Sequence, residues 1–366
     1  MEGSQTIAID IVINNYNYGW CICDAIDSAC RQDHPSTNVV VVDDGSTDDS
    51  RQRLRAYEGL VDIVLRENGG QAAALNAGFA RCSGDVVMFL DADDMLAPTA
   101  ASRAAAAFAA DPLAARVQFR MGLIDAHGRA LSRSRHPSHR PMPSGDLRRP
   151  ELAFPFDMAW VAMSGNAFRT DSLRRIMPIP DHTYGRWGAD WYLVHLTTLL
   201  GRVVSLEESG AFYRIHGRNA FEPKDPVLDM DRIRLEIFYQ QHTLEALSSL
   251  ADQLGLERPH PVLSLSNIAN RIISQRLAPD CHPVKDDHPA ALMATAFRAA
   301  ARRYDVSVVM RIMLVAWLSA IAASPRSIAA KLAELLVFPE RRQRLTRIAG
   351  RMHRTRAVVA PAATLD

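Results

Sequence analysis

Three carboxylates fall within four positions at Asp91, Asp93 and Asp94, directly behind the apolar run Val86-Val-Met-Phe-Leu90. Carboxylates this close repel one another unless a cation lies among their oxygens. A strand that carries them to its carboxyl end points to a divalent metal and a phosphorylated ligand. One carboxylate can bind the ion while a neighbour orients a sugar hydroxyl, and the ion would neutralise charge building on a departing diphosphate. An Asp-x-Asp triplet alone says little, because acidic loops are common; its place at the end of an apolar strand gives it weight.

Other segments offer partners for that site. Asp43-Asp44-Gly45-Ser46 follows another apolar run. A carboxylate there can accept a base N–H or a ribose hydroxyl, or Asp43 and Ser46 can cap the next helix. Asp190, in Gly188-Ala-Asp-Trp191, lies where a helix should begin, so it is either an N-cap or a general base that removes a proton from an acceptor hydroxyl. His216, after the aromatic run Phe212-Tyr-Arg-Ile215, can ligate a metal or contact a phosphate, although a lone His is usually neither. Trp160, Trp187 and Trp191 can stack on sugar faces or fill a core.

The elements that must position these residues follow from periodicity. Ile7 to Ile13 is β-rich and ends in Asn14-Asn15-Tyr16-Asn17, and a helix is expected from Gly19 to Arg31. Val39-Val-Val-Val42 is a continuous apolar run, as for a strand covered on both faces, with a helix expected from near Thr47. Val61 to Leu65 is a third strand. Asn68-Gly69-Gly70 then turns the chain into an Ala-rich helix, Gln71 to Arg81. Val86 to Leu90 is the fourth strand, and Pro98 opens the next helix. This alternation predicts an α/β fold, a doubly wound, mostly parallel sheet flanked by helices. In such sheets ligands bind at the carboxyl ends of strands, where Asn14, Asp44, Asn68 and Asp91 all fall.

Downstream the composition changes. Residues 132–150 hold five Arg, two His and four Pro, which predicts a solvated linker or a flap over phosphates or acceptor. A helix is expected from Thr170 to Ile176 and another from Asp190 to Gly201, with two strands at Val203–Leu206 and Ala211–Ile215. After Pro226 the pattern is almost wholly helical, a carboxy-terminal appendage of about five helices. The expected division is therefore 1–225, with a nucleotide half to about 125 and an acceptor half from about 150, and 226–366.

Composition bounds the rest. The 366 residues are 48% hydrophobic, enough for a sizeable core, and the net charge of +1 argues neither for nor against nucleic acid, which is not called as a partner. Five cysteines, an odd number without zinc-type spacing, and an amino terminus with no basic leader fit reduced thiols in a cytoplasmic protein. Ile312 to Ala323 is an uncharged run of 12 residues, apolar except for Ser319 and short of the roughly 20 that span a bilayer, so a buried or interfacial helix is expected. From Arg326 to Arg356 there are nine Lys/Arg and two Glu. That basic stretch suggests a peripheral membrane contact, or a helical cap or homo-oligomer surface with solvated charges.

Six segments occur in order: Ile11-Val-Ile-Asn-Asn-Tyr-Asn17, Val42-Asp-Asp-Gly-Ser-Thr-Asp48, Glu67-Asn-Gly-Gly-Gln-Ala-Ala-Ala-Leu-Asn-Ala-Gly78, Phe89-Leu-Asp-Ala-Asp-Asp94, Ala189-Asp190 and Tyr213-Arg-Ile-His-Gly-Arg-Asn219. Together, over about residues 6–220, they resemble the family 2 glycosyltransferases of the GT-A fold. The resemblance implies inverting, metal-assisted transfer from a nucleotide sugar, most often a UDP sugar, to an acceptor hydroxyl. It implies that Asn14, Asn15, Tyr16 and Asp44 line the uridine pocket and that Asn68 and Gln71 lie near base or phosphates. Asp91 and Ala92 would meet the ribose, Asp93 would hold Mg2+ or Mn2+ with His216, and Asp190 would be the base. Asp94 is expected to be structural. The sequence departs from the family at Asn14-Asn15, where a Pro-Thr/Ser/Ala pair is common, at Ala189 in place of an acid, and at Leu75 in place of an Arg.

Two other readings share parts of the pattern. A nucleotidyltransferase would also use an acidic metal site, but should carry a Gly-rich basic loop after the first strand. Here that loop has no basic residue before Arg31. A non-catalytic glycan-binding scaffold of the same fold would not need Asp93, Asp190 and His216 together.

Overall fold

The computed structural model describes residues 6–134, 142–158, 160–185, 187–217, 219, 227–258, 263–303 and 307–338. It comprises two compact units, Met1–Glu222 with Phe238–Ser264, and Pro223–Ile237 with Leu265–Asp366. The segment 238–264 thus groups with the amino-terminal unit, and the division falls inside a helix rather than at residue 226.

The first unit opens with β1 (Ile9–Asn15), α1 (Gly19–Cys30), β2 (Thr37–Asp44), α2 (Ser50–Leu54), β3 (Asp62–Arg66), α3 (Gln71–Phe79) and β4 (Val86–Asp91). It continues through β5 (Met95–Leu96), α4 (Ala100–Ala110), β6 (Ala114–Ile124), β7 (Ala130–Ser134), α5 (Arg148–Ala153) and β8 (Asn166–Arg169). Then come α6 (Thr170–Arg174), α7 (Asp181–Tyr184), α8 (Ala189–Leu200), β9 (Arg202–Arg214) and α9 (Met230–Gln253), the last shared with the second unit. The strands form one sheet in the order β3-β2-β1-β4-β8-β6-β9-β5, with β7 on β6. The first four in that order run parallel, and β8 is antiparallel to β4 and β6. The doubly wound, mostly parallel expectation is met.

Local sequence explains how tightly the layers close. Val39 to Val42 are buried, as a strand covered on both faces requires. Helix α3 buries Ala72, Ala73, Ala74, Leu75 and Gly78, mostly small residues that let it pack closely on β1 and β2. At Gly78 a Cβ would lie 2.3 Å from Val12 Cγ1.

Three local expectations change. The helix expected near Thr47 starts at Ser50, because Asn17 Oδ1 accepts the amides of Thr47 and Asp48, and Asp48 accepts those of Gly19 and Ser50. These bonds satisfy the amides outside a helix, a competition typical of Asn and Asp. The two strands expected between Val203 and Ile215 are one, β9, whose register against β6 shifts between Phe119 and Met121. Within the segment 132–150, β7 pairs with β6, Gly145 bridges to Val203, and α5 begins at Arg148. Residues 135–141 lie outside the described residues.

The second unit packs α10 (Leu265–Leu277), α11 (Pro289–Arg302), α12 (Val308–Ala323) and α13 (Arg326–Val337), which with α9 make five helices after residue 226 among the described residues. Ile268 and Ile272 of α10, Leu292 and Ala296 of α11, Leu318 and Ile321 of α12, and Ala329 and Ala333 of α13 are buried at three- or four-residue spacing. Trp317 Nε1 of α12 donates to Leu332 O of α13 at 2.9 Å. Among the described residues no helix is long and apolar enough to cross a membrane. The basic stretch after Phe338 lies outside the described residues.

Because Val12 leaves no room at Gly78, Gly78→Ala should lower unfolding free energy by about 1–3 kcal/mol through overpacking. Urea denaturation of the two proteins measures it, and an unchanged midpoint would show that α3 can shift without cost.

Candidate active site

Strand register builds the site. Asn14 pairs with Asp91 across β1 and β4, Asn15 with Asp43 across β1 and β2, and Asp44 with Arg66 across β2 and β3. The polar residues that end the parallel strands therefore lie side by side along one edge. Asn14 Nδ2 donates to Asp91 Oδ1 at 3.1 Å, and Gln71 Nε2, from the first turn of α3, approaches the same oxygen at 3.4 Å. Asn14 Oδ1 and Gln71 Oε1 are buried without a partner. Two such acceptors on either side of one carboxylate leave hydrogen-bonding capacity for a ligand carrying hydroxyl or N–H donors.

The acidic cluster is tied down by β9 and by the turn before β8. Ser164 Oγ donates to Asp94 Oδ2 at 2.7 Å and accepts from Asp91 N at 3.2 Å. Asp94 Oδ1 accepts from Arg214 N at 3.1 Å. The fully buried Arg214 side chain donates through Nε to Asp93 O, through Nη1 to Ala126 O and through Nη2 to Asp24 Oδ2, at 2.7, 3.2 and 2.9 Å. Two residues on, His216 Nε2 stands 2.9 Å from Asp93 Oδ2. Its ring is edge-on to Tyr18 and Trp20, with centroids 5.7 and 5.3 Å away.

Electrostatics mark the cluster as strained by like charge. Burial, then Asp93, then Asp190 push Asp91 up to about 7, against favourable hydrogen bonds from Asn14 and Gln71. Burial and then Asp93 and Asp91 hold Asp94 well above the usual carboxylate range. The same two charges help burial to raise the Tyr18 hydroxyl. Asp190, 99 positions after Asp91 in the chain, thus adds its charge to this edge. It sits in the first turn of α8, behind Gly188, whose φ of +97° suits only glycine and where a Cβ would lie 2.8 Å from the Tyr239 ring. Asp190 Oδ1 accepts from Trp191 N at 3.0 Å, and the N-cap position belongs to Gly188.

Among the described residues no three His, Cys, Asp or Glu side chains form a closed ion cage. Asp93 and His216 supply two donors, and beside them Asp91 and Asp94 are raised by burial first and by neighbouring carboxylates second, the latter a charge that a cation would relieve. A carboxylate and an imidazole are both donors that a divalent ion accepts.

The structure brings Asn14, Gln71, Asp91, Asp93, Asp190 and His216 into this neighbourhood. It treats other candidates differently. Asp44 is buried and receives Arg66 and the amides of Gly69 and Gly70, while Asn68 Nδ2 donates to Asp44 O at 2.9 Å, so both brace the loop before α3. Asp43 accepts from Ser46 N and Arg51, closing a turn rather than capping α2. Asn15 is buried on the side of the pleat opposite Asn14; its amide donates to Asp43 and Ser46, and its Oδ1 is buried without a partner. Ala92 is buried as well, and its carbonyl faces Cys21 Sγ. Tyr16 is 46% exposed. Trp191 is a core residue, packed with Phe156 and Trp160 at 5.3 and 5.4 Å between ring centroids, because it shares its helix face with the buried His195. Trp160 is half-buried, and Trp187 stands edge-on to Tyr239.

Sequence reasoning missed Arg214, Ser164 and Trp20. Arg214 had a signal, a cation inside an otherwise apolar aromatic strand. Ser164 and Trp20 had none, since their roles depend on contacts far along the chain.

Residues 10–173 match the family model described as Glycosyl transferase family 2. An uncharacterized glycosyltransferase of Nostoc sp. is 34% identical over 215 residues, 58% of this chain and 66% of that protein. An undecaprenyl-phosphate 4-deoxy-4-formamido-L-arabinose transferase of Pseudomonas fluorescens is 41% identical over 93 residues, 23% of this chain and 27% of that one. The chain therefore spans just under two thirds of the first relative and about a quarter of the second. The structure of S. aureus TarS 1–349 in complex with UDP superposes with a TM-score of 0.52 at 16% identity over 92% of each chain, a likeness of fold.

Removing the Arg214 side chain leaves Asp93 O and Ala126 O unpaired and Asp24 uncompensated. Arg214→Met should lower unfolding free energy by about 2–4 kcal/mol. Chemical denaturation reads this, and a stability equal to wild type would show that the clasp is dispensable.

Proposed function

The chain is a family 2 glycosyltransferase through residues 10–173, and from that premise we propose that it transfers a sugar with inversion from a nucleotide sugar, a UDP sugar first, to an acceptor hydroxyl. The observation that supports this reading is geometric: Gln71, whose side chain approaches Asp91, donates its backbone N–H to Gly185 O at 2.7 Å, which ties the segment leading into Asp190 to this edge. A proton acceptor beside a nucleotide-binding edge is what attack by a hydroxyl requires.

In this reading Tyr16, Asp44 and Asn68 form the base pocket, with Asp44 fixed by Arg66. Asn14, Gln71 and Asp91 hold the ribose hydroxyls, matching the open acceptors at Asn14 and Gln71. Asp93 and His216 hold Mg2+ or Mn2+, which when bound neutralises charge on the leaving diphosphate. Asp190 takes the acceptor proton as oxygen attacks the anomeric carbon from the face opposite the diphosphate. The start of α8 fixes that carboxylate, and the half-buried Trp160 and Trp187 offer sugar-stacking faces. The name of the Pseudomonas relative and the basic carboxy-terminal stretch both favour work beside an anionic lipid surface.

Two outcomes test this. With a panel of UDP, GDP and dTDP sugars and product release as the readout, Asp190→Asn should cut kcat at saturating substrate by about 10²–10⁴-fold, with the thermal midpoint unchanged; full turnover would remove the base assignment. Chelation should abolish turnover and added Mn2+ or Mg2+ restore it, whereas Asp93→Ala should not recover with metal. Activity unaffected by chelation would remove the cation.

A further inference from the structure

The near-neutral total hides a polarised chain. Residues 289–366 carry thirteen Lys/Arg against four Asp/Glu, a net +9, whereas residues 1–288 carry 29 against 37, a net −8. Within the basic part, α12 has two different ends. Its carboxy-terminal half buries Val315, Leu318 and Ile321 in the helical unit. Its first two turns leave Val308, Val309, Ile312 and Met313 exposed by 65, 67, 64 and 52%, with Met310 at 42%. At 100° per residue these five positions cover an arc of about 200°. A surface helix of a soluble protein carries charged and polar residues over that arc. An uncovered apolar cluster of this kind marks an interaction site.

The charges around the cluster select the partner. Arg311, which donates to Ala301 O at 3.4 Å, joins the start of α12 to the end of α11, where Arg298 and Arg302 are exposed. A second copy of the same basic part offers few acidic groups to meet these arginines, since residues 289–366 carry thirteen Lys/Arg against four Asp/Glu. An anionic lipid surface supplies both complements: headgroups for the arginines, and acyl chains for valine, isoleucine and methionine. With 16 residues α12 is about 24 Å long, short of a roughly 30 Å hydrocarbon core, so it can enter one leaflet but not span.

We propose that the first two turns of α12 insert into an anionic lipid leaflet, with Arg298, Arg302 and Arg311 at the headgroups, and that this wedge anchors the protein beside its acceptor. The proposal deepens the reading of an enzyme at a lipid surface and does not depend on its chemistry.

The test is sedimentation of the full chain with phosphatidylglycerol/phosphatidylcholine vesicles at low and high salt, beside the variant Val309→Ser/Ile312→Ser. Both residues are exposed, so the variant should keep the wild-type thermal midpoint and turnover on a soluble acceptor. Wild type should bind these vesicles at low salt, lose only part of that binding at 0.5 M salt where surface charge is screened, and bind pure phosphatidylcholine measurably but more weakly. The variant should bind about tenfold or more weakly. Equal binding by both proteins would overturn insertion while leaving the lipid-surface reading intact. No binding of wild type to any anionic vesicle would overturn both. A wild-type dimer in solution that the variant abolishes would assign the cluster to a second copy and overturn the proposal.

Discussion

The first unit depends on holding several carboxylates together against their own repulsion. Asp91, Asp93 and Asp94 leave β4 within four residues, and Asp190 adds a further charge from α8. Burial makes this worse, since it removes the water that would screen them. The fold answers with directed donors. Arg214 and Ser164 fix Asp94 and the backbone of Asp93, while Asn14 and Gln71 hold Asp91. Asp94 is therefore a structural member of the triplet, with both of its oxygens engaged by Ser164 and the backbone of Arg214.

This clasp also explains the topology of the second half of the unit. Arg214 closes β9, which runs parallel to β6, and β6 is tied through β8 to β4. The strand that carries the Arg–His pair thus returns to the carboxyl end of β4 by way of the sheet itself. His216 reaches Asp93 because β9 ends where β4 ends. A buried guanidinium with three acceptors fixes that alignment more sharply than apolar packing can, since its donors have a set geometry.

The helical unit is governed by a different balance. Its interior is held by small and branched side chains at helical spacing, and α12 continues its apolar sequence past the point where neighbours cover it. The same residue types that build a core at Leu318 and Ile321 become an exposed wedge at Val309 and Ile312. Only the length of α12 relative to its neighbours separates the two cases.

Much of the candidate site's edge was legible from sequence. Apolar runs of strand length, ended by Asn14, Asp44 and Asp91, fixed a parallel sheet with its polar residues at one end, because alternation of strand and helix leaves successive strands pointing the same way. The helices after residue 226 were equally plain from their spacing. What only the tertiary structure decided was which residues meet and which are covered. Asn15 and Trp191 are polar or aromatic residues at suggestive positions, yet the pleat of β1 and the packing of α8 place both inside. Arg214 looked like one cation in a strand and is the centre of the clasp. The approach of Asp190 to Asp91 across 99 positions, and of His216 to Asp93, arises from long-range packing of β9 and α8. Local sequence sets periodicity and strand ends, but side-chain exposure and charge proximity are properties of segments brought together from far along the chain.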